Sequence, residues 1–194
     1  MPPHTEKTYR IFTAVPFPEE VRTRLMRIVD DIPVGTDALR RVRPDQMHVT
    51  LHFFAALAAE KAEQLVAMYT DISSRYHPFT LSFGSFGVFP DRRRPRVLWL
   101  GIRDHDGTVV PLKEELDAAL RARGFPVEHR PFKAHLTVGR FKEKSSPAPF
   151  PADIFERAVP DVGEQRITHL EVIRSELSST GPRYTVLASC PFKE

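Results

Sequence analysis

The sequence predicts an α+β fold built from antiparallel sheets. Strand and helix patterns follow one another in the order strand, helix, strands, helix, strands, helix, strands, so helices do not follow every strand as they would in a doubly wound parallel sheet. The pattern His, apolar, Thr, apolar occurs at residues 48–51 and again at 135–138, once in each half of the chain. Each half also has helices flanking short strands. A degenerate duplication with a pseudo-twofold axis is therefore expected.

The first half of the chain predicts two strands and one helix before the first copy of the pattern. Tyr9–Val15 alternates and is rich in β-forming residues, which indicates a strand. Pro18 suits the first turn of a helix, and an apolar stripe at helical spacing continues to Ile32. Pro33 and Gly35 are expected to end this helix. The remaining predicted elements of this half are a short strand at Leu39–Val42, a turn at Pro44–Gln46, the first pattern strand and a helix at Glu60–Tyr76.

The second half predicts several short strands and one helix around the second copy. The helix has an apolar face, and Gly124 stands where a C-terminal cap belongs. We interpret the basic loop 91–96 as a solvated hairpin tip and Ser145–Pro151 as a flexible proline-rich loop. The predicted elements are strands at Phe79–Phe83, Phe86–Phe89 and Val97–Gly101, a helix at Thr108–Arg123, a strand at Lys133–Phe141, and a final hairpin of Ile167–Ser175 and Tyr184–Cys190 joined by Ser178–Pro182.

Each copy of the pattern predicts a strand with an apolar back and a chemically active front. Because alternate side chains of a strand share a face, His48 stands beside Thr50 and His135 beside Thr137. Two imidazoles with an ordinary pKa near 6.5 can divide the roles of general acid and general base at neutral pH. Such a pair suits a phosphodiester, whose attacking and leaving oxygens lie on opposite sides of phosphorus.

The threonine hydroxyls and one cation complete the predicted phosphate site. Thr50 and Thr137 can donate to the non-bridging oxygens, and the charge developing there also requires a cation. Arg140 is the nearest candidate, although strict alternation places it on the back of its strand, so either a bulge or the end of the strand has to turn it towards the front.

Metal ligation is the main alternative use of these histidines. By alternation His48 and His52 share a face, and together with His135 they could form a three-histidine site. Against this, no carboxylate accompanies either pattern, and the His and Cys residues lack familiar ligand spacings, so no metal or other cofactor is expected. Nucleophilic catalysis by Cys190 has less support, because this residue stands in an apolar strand without a neighbouring histidine.

Composition limits the class of protein. The 194 residues include 41% hydrophobic and 27% charged residues, as in globular proteins, and the net charge of +3 permits an anionic ligand without requiring one. Cys190 is the single cysteine, which excludes an intrachain disulfide and favours a reducing compartment. No apolar run suits a membrane span and no secretory signal is visible. A cytoplasmic protein without membrane association is expected.

With these residues identified, the chain resembles the 2H phosphoesterase superfamily, and within it the RNA 2′,3′-cyclic phosphodiesterases, also called 2′-5′ RNA ligases. The resemblance covers nearly the whole chain. It rests on the two patterns with their flanking residues Phe53 and Arg140, on the first strand Arg10–Val15, and on four further segments, Phe86–Pro90, Arg96–Gly101, Gly124–Phe125 and Ser175–Tyr184.

The resemblance implies a single domain over residues 1–194 with two pseudo-symmetric lobes, each an antiparallel sheet with flanking helices, around a central cleft. It also implies metal-independent opening of a 2′,3′-cyclic phosphate, at an RNA 3′ end or on a nucleotide, to a 2′-phosphate. His48 would protonate the leaving 3′ oxygen, His135 would activate water, and Thr50, Thr137 and Arg140 would hold the phosphate.

Two positions flanking the first pattern are expected to contact substrate. His52 stands where the family more commonly has Lys or a small residue, and alternation places it on the cleft face, where it could contact RNA or tune His48. Phe53 is the second candidate contact. The alternatives left open are an RNA-end binding module without turnover and weak, reversible 2′-5′ ligation. A monomer is expected.

Overall fold

The computed structural model describes residues 7–32, 38–142, 154–156, 159, 162–179 and 181–194. Within these ranges the chain forms strands and helices in a mixed order. The elements are β1 (Thr8–Pro16), α1 (Glu19–Asp30), β2 (Leu39–Arg41), a 3₁₀ turn (Pro44–Gln46), β3 (His48–Ala58), α2 (Ala59–Ser73), β4 (Phe79–Phe89), β5 (Val97–Asp104), α3 (Val109–Ala122), β6 (His135–Phe141), β7 (Gln165–Ile167), β8 (His169–Ser178) and β9 (Gly181–Pro191).

The strands form one antiparallel sheet in the order β7-β4-β5-β6-β3-β1-β8-β9, with β2 also paired to β6. Its two four-stranded halves, β7-β4-β5-β6 and β3-β1-β8-β9, meet where Val49 of β3 pairs with Leu136 of β6. The expected α+β fold with antiparallel strands is confirmed. The two halves are joined edge to edge by the two strands that carry the His-x-Thr pattern.

The helices cover one face of this sheet. Each contributes the apolar stripe that its periodicity predicts, and α2 packs on β1, β3, β8 and β9. On the opposite face, Phe12, Ala14 and Ile173 form a small separate cluster with Tyr184 packed against it. Strand β1 shows the division clearly, because Ile11 and Val15 are buried in the main core while Phe12 and Ala14 face the other way. None of the described helices is long and apolar enough to cross a membrane.

Several boundaries differ from those predicted. The two short strands expected at Phe79–Phe83 and Phe86–Phe89 are one strand, β4, with a register irregularity between its two halves. Strand β7, which pairs with β4, was not predicted. The basic loop connects β4 to β5, so it is a hairpin loop as expected. The helix-ending Pro33 and Gly35 and the loop Ser145–Pro151 lie outside the described residues.

Candidate active site

The two His-x-Thr patterns lie side by side in the sheet. Because β3 and β6 are antiparallel and Val49 pairs with Leu136, His48 falls opposite Thr137 and Thr50 falls opposite His135. Val49 and Leu136 are buried in the main core, so the four polar side chains share the opposite face. Histidines placed diagonally across an antiparallel pair are about 7–8 Å apart at the backbone.

A β-bulge lies at the fourth residue of each pattern. In β6, Thr137 pairs with Trp99 and Gly139 with Leu98, which leaves Val138 as the extra residue. In β3, Thr50 pairs with Ala14 and His52 with Thr13, which leaves Leu51 as the extra residue. The duplicated patterns therefore share their backbone irregularity as well as their sequence. Beyond each bulge, a side chain that strict alternation would place on the back of the sheet lies on the front, and one expected on the front lies on the back.

The bulge in β6 decides the position of Arg140. Strict alternation would place this side chain on the back of the sheet, whereas the extra residue Val138 turns it forward, and Arg140 lines the cleft together with His48 and Thr137. The cation expected beside the predicted phosphate site therefore lies on the same face as the histidines. Its orientation depends on one inserted residue.

The bulge in β3 has the same effect on Phe53. This side chain lines the cleft, is 49% exposed, and has the Arg10 guanidinium 4.4 Å from its ring centroid. An exposed aromatic face beside a cation is a suitable platform for a nucleobase. Phe53 thus occupies a position in β3 equivalent to that of Arg140 in β6.

The expectation that His52 faces the cleft was wrong. Because Leu51 is the bulged residue, His52 turns to the helix-covered face, where it is only 6% exposed. Its Nδ1 lies 2.5 Å from the hydroxyl of Tyr69, and its Nε2 lies 2.5 Å from a carboxylate oxygen of Asp117. His52 therefore contacts neither the cleft nor a substrate there.

The donor and the acceptor of each hydrogen bond around His52 can be assigned, starting from Asp117. Lys113 donates to Asp117 at 2.6 Å. Burial raises the pKa of the Asp117 carboxyl, but the hydrogen bonds from Lys113 and His52 lower it by more, so the pKa is below its usual value and the group is ionised. Nε2–H of His52 donates to that carboxylate, the Tyr69 hydroxyl donates to Nδ1, and Thr13 donates to Tyr69 at 2.7 Å. We call these five residues the His52 network.

The three-histidine metal alternative fails on the same geometry. It required His48 and His52 on one face, and they lie on opposite faces of the sheet. Among the described residues, no group of three or more His, Cys, Asp and Glu side chains is arranged to hold a metal ion.

The cleft in front of the patterns has a volume of about 370 Å³. Its charged lining residues in the described part of the chain are all arginines, and no carboxylate lines it. An anionic ligand is therefore favoured. The lining residues are Arg10, Phe12, Arg40, Arg41, Val42, Gln46, His48, Thr50, Phe53, Thr137, Arg140, Ser175, Leu177, Pro182 and Tyr184. His135 is not part of this lining and stands next to it, opposite Thr50.

His48 is held against aromatic rings on the front of the sheet. Its ring stacks on Phe12 at 4.5 Å between centroids and meets the edge of Tyr184 at 5.7 Å. Burial lowers the pKa of His48 to about 4; Glu171 opposes this change, and Arg22 and Arg140 add to it. The imidazole is therefore neutral at pH 7 in the empty cleft. A bound anion acts in the opposite direction and favours the protonated form.

His135 has a fixed tautomer. Its Nδ1 lies 2.7 Å from the backbone carbonyl of Lys133, which can only accept, so Nδ1 carries the proton. Its ring lies edge-on to Phe89 at 5.0 Å. Burial lowers the pKa of His135, the hydrogen bond to Lys133 opposes this, and the Lys133 and Arg140 charges reinforce it. Nε2 is consequently a free base at neutral pH.

A family model described as LigT-like phosphoesterase matches this chain twice, over residues 15–99 and 101–184. The chain belongs to the LigT-like phosphoesterase family. Each match contains one copy of the His-x-Thr pattern, in agreement with the duplication expected from the sequence. The protein is therefore a phosphoesterase, which confirms the resemblance and the assignment as an enzyme.

Individual relatives support the same family. An RNA 2′,3′-cyclic phosphodiesterase of Methanothermobacter thermautotrophicus is 34% identical over 91% of this chain and 95% of its own length. One from Archaeoglobus fulgidus is 31% identical over 90% of this chain and 96% of its own. The crystal structure of Escherichia coli LigT complexed with 3′-AMP matches with a TM-score of 0.79 and 26% identity, covering 97% of this chain and all of that one.

Sequence reasoning missed several cleft residues of this phosphoesterase. Phe12 and Arg10 alternate with the buried Ile11, so the alternation of β1 could have placed them on the front. Arg40 alternates in the same way with the buried Leu39. The positions of Gln46, Tyr184 and Ser175 depend on which strands are neighbours in the sheet, and no local pattern indicates them.

Proposed function

We propose that this phosphoesterase hydrolyses the 2′,3′-cyclic phosphate of RNA 3′ ends or of nucleotides to a 2′-phosphate without a metal ion. The observation that carries the proposal is the antiparallel pairing of the two patterns at Val49 and Leu136, with His48 and both threonines in the lining of a cationic cleft and His135 next to it. The names of the relatives support the substrate class.

His135 is the general base of this proposal. Its Nδ1 proton is held by the Lys133 carbonyl, so Nε2 is available to take a proton from water. The water oxygen attacks phosphorus while the bond to the 3′ oxygen breaks on the opposite side. The 2′ ester bond stays intact, and the product carries a 2′-phosphate and a 3′-hydroxyl.

His48 is the general acid, and the substrate supplies the condition for this role. In the empty cleft burial keeps its pKa low, at about 4. A negatively charged phosphate beside the ring favours its protonated form, in the direction in which Glu171 already acts. His48 then donates its proton to the departing 3′ oxygen. The acid is thereby formed in the complex with substrate.

The remaining front residues stabilise the charge that develops on phosphorus. The hydroxyls of Thr50 and Thr137 can donate to the non-bridging oxygens, and the Arg140 guanidinium lies on the same lining. Donors that are already oriented need no rearrangement during the reaction.

The test is to incubate the protein with a nucleoside 2′,3′-cyclic phosphate, with and without EDTA, and to identify the product isomer. We expect a 2′-phosphate at an unchanged rate in EDTA, and loss of turnover in His48→Ala and His135→Ala. His77→Ala, which changes an exposed histidine far from both patterns in the sequence, is the matched control. Activity lost in EDTA and restored by zinc would indicate metal chemistry instead. Binding without any turnover would indicate an RNA-end binding module.

A further inference from the structure

Arg40 stands beside the proposed phosphate site without belonging to either pattern. It is the Cα partner of Arg140 in the pairing of β2 with β6, and opposite residues of an antiparallel pair share a face. Both side chains line the cleft. Arg140 therefore lies between Thr137 on its own strand and Arg40 on the neighbouring strand.

Among the described residues, Arg40 and Arg140 differ from the neighbouring Arg41 in their ion pairing. Arg41, the next residue of β2, forms an ion pair with Asp30 at 2.9 Å. In the described part of the chain, by contrast, no carboxylate forms an ion pair with Arg40 or Arg140. Two guanidinium groups on facing positions repel each other, and bound anions relieve that repulsion. The pair is therefore suited to bind anionic groups at both guanidinium positions.

The Arg40 guanidinium lies beside the turn between β8 and β9. Its Nη2 is 3.3 Å from the place that a Cβ on Gly181 would occupy, so it reaches the turn between β8 and β9. Gln46 donates to the Pro182 carbonyl at 3.0 Å and attaches the same turn to the segment before β3. Arg40 consequently lies between two connected walls of the cleft, on a strand that pairs with the same edge of β6 as β3 does.

We propose that Arg40 forms a second phosphate subsite, which binds the phosphodiester joining the terminal nucleotide of an RNA to the preceding one. This inference rests on the proposed function, because it places the reacting cyclic phosphate at Arg140. A chain that continues beyond its terminal nucleotide brings a second phosphate, and Arg40 is the unpaired cation next to the first. The substrate class is then an RNA chain, and a mononucleotide fills only part of the site.

The test uses two dinucleotides that end in a 2′-phosphate and differ only in their internal linkage, a phosphodiester or an uncharged methylphosphonate. Their dissociation constants are measured by competition against a fluorescent oligonucleotide. We expect the wild-type protein to bind the phosphodiester roughly tenfold more tightly, as one charge-assisted contact predicts. The slope of log affinity against log salt should differ by about 0.7 between the two ligands.

Arg40→Gln should abolish this discrimination and make the two ligands bind alike. Arg103→Gln removes an exposed arginine from strand β5, outside the cleft lining, and should retain it. If Arg40→Gln weakens both ligands equally and the tenfold ratio persists, Arg40 contacts the terminal phosphate and the inference is wrong. Hydrolysis of a mononucleoside cyclic phosphate by the wild type, measured in parallel, tests the proposed function separately, because the binding ratio does not depend on turnover.

Discussion

Replacing Tyr69 by Phe tests the His52 network through its central hydroxyl. Tyr69 is fully buried on α2, and its hydroxyl bonds both Thr13 at 2.7 Å and Nδ1 of His52 at 2.5 Å. The substitution keeps the ring, so the packing of the core against the sheet is maintained. It removes one oxygen and leaves two buried polar groups without partners.

The expected destabilisation follows from those two groups. Thr13 is fully buried and His52 is 6% exposed, so water cannot replace the lost hydroxyl at either one. Each buried polar group that loses its hydrogen bond lowers the free energy of unfolding by about 1–3 kcal/mol, and we use about 1–1.5 kcal/mol for each group here. Tyr69→Phe should therefore lower the free energy of unfolding by about 2–3 kcal/mol. For a chain of this size the melting temperature should fall by roughly 4–12 °C.

Urea denaturation followed by circular dichroism measures this change, and Tyr76→Phe is the matched control. The Tyr76 hydroxyl donates to Glu115 at 2.8 Å, but that carboxylate is 37% exposed and also pairs with Arg75, so water can take over the contact. The control should cost less than about 1 kcal/mol. Equal destabilisation by the two variants would refute the argument that the His52 network is a buried, fully paired set.

Three further predictions concern the cleft and the buried histidines. His48→Ala and His135→Ala should each lower kcat by about 10²- to 10⁴-fold. The double variant should raise the activation free energy by much less than the sum of the two single increases, because the pair acts as a unit. Near-full activity in either single variant would remove that residue from the mechanism. Phe53→Leu should raise KM for cyclic nucleotides with little change in kcat, since it removes a stacking surface and no reacting group; a fall in kcat alone would contradict this role. Burial lowers the pKa of His48 and of His52 to about 4, below the unfolded value of about 6.5. Between these two values the unfolded state therefore binds more protons than the folded state. The free energy of unfolding should fall as pH drops through this window, by about 1.4 kcal/mol per pH unit for each histidine. Denaturation between pH 6 and 4.5 measures that slope, and His48→Ala should reduce it by about 1.4 kcal/mol per pH unit, the contribution of one histidine; an unchanged slope would contradict the shift at His48.

The sequence indicated which residues form the front of the site because alternation is a local property of a strand. It could place His48 with Thr50 and His135 with Thr137 from spacing alone. Alternation fails at a bulge, and a bulge depends on how a strand is matched to its neighbour. Strand β3 has one residue more than β1 between two pairs, and Leu51 absorbs the difference. The same local rule that located the patterns therefore misplaced His52.

The helices were predicted more accurately than the sheet for a related reason. An apolar stripe at helical spacing belongs to one segment, so α1 and α3 lie within the predicted ranges and α2 begins one residue before its predicted start at Glu60. Strand β7 has three residues and is stabilised by its pairing with β4, which a single sequence does not reveal. The pairing of β2 with β6, which brings Arg40 beside Arg140, is likewise a property of the assembled sheet.

Duplication explains why the two histidines are arranged symmetrically, and their different neighbours explain how they can perform different tasks. The patterns share spacing, pairing and bulge position, so the backbone gives His48 and His135 equivalent places. The side chains around them are not equivalent. His135 is bound through Nδ1 to a carbonyl, which fixes a neutral base whose lone pair points outward. His48 has the nearby Glu171 carboxylate, which favours its protonated form once an anion is bound. In the proposed mechanism, the symmetric scaffold gives access to both sides of a phosphate, and residues outside the repeated pattern divide the roles of acid and base between the two histidines.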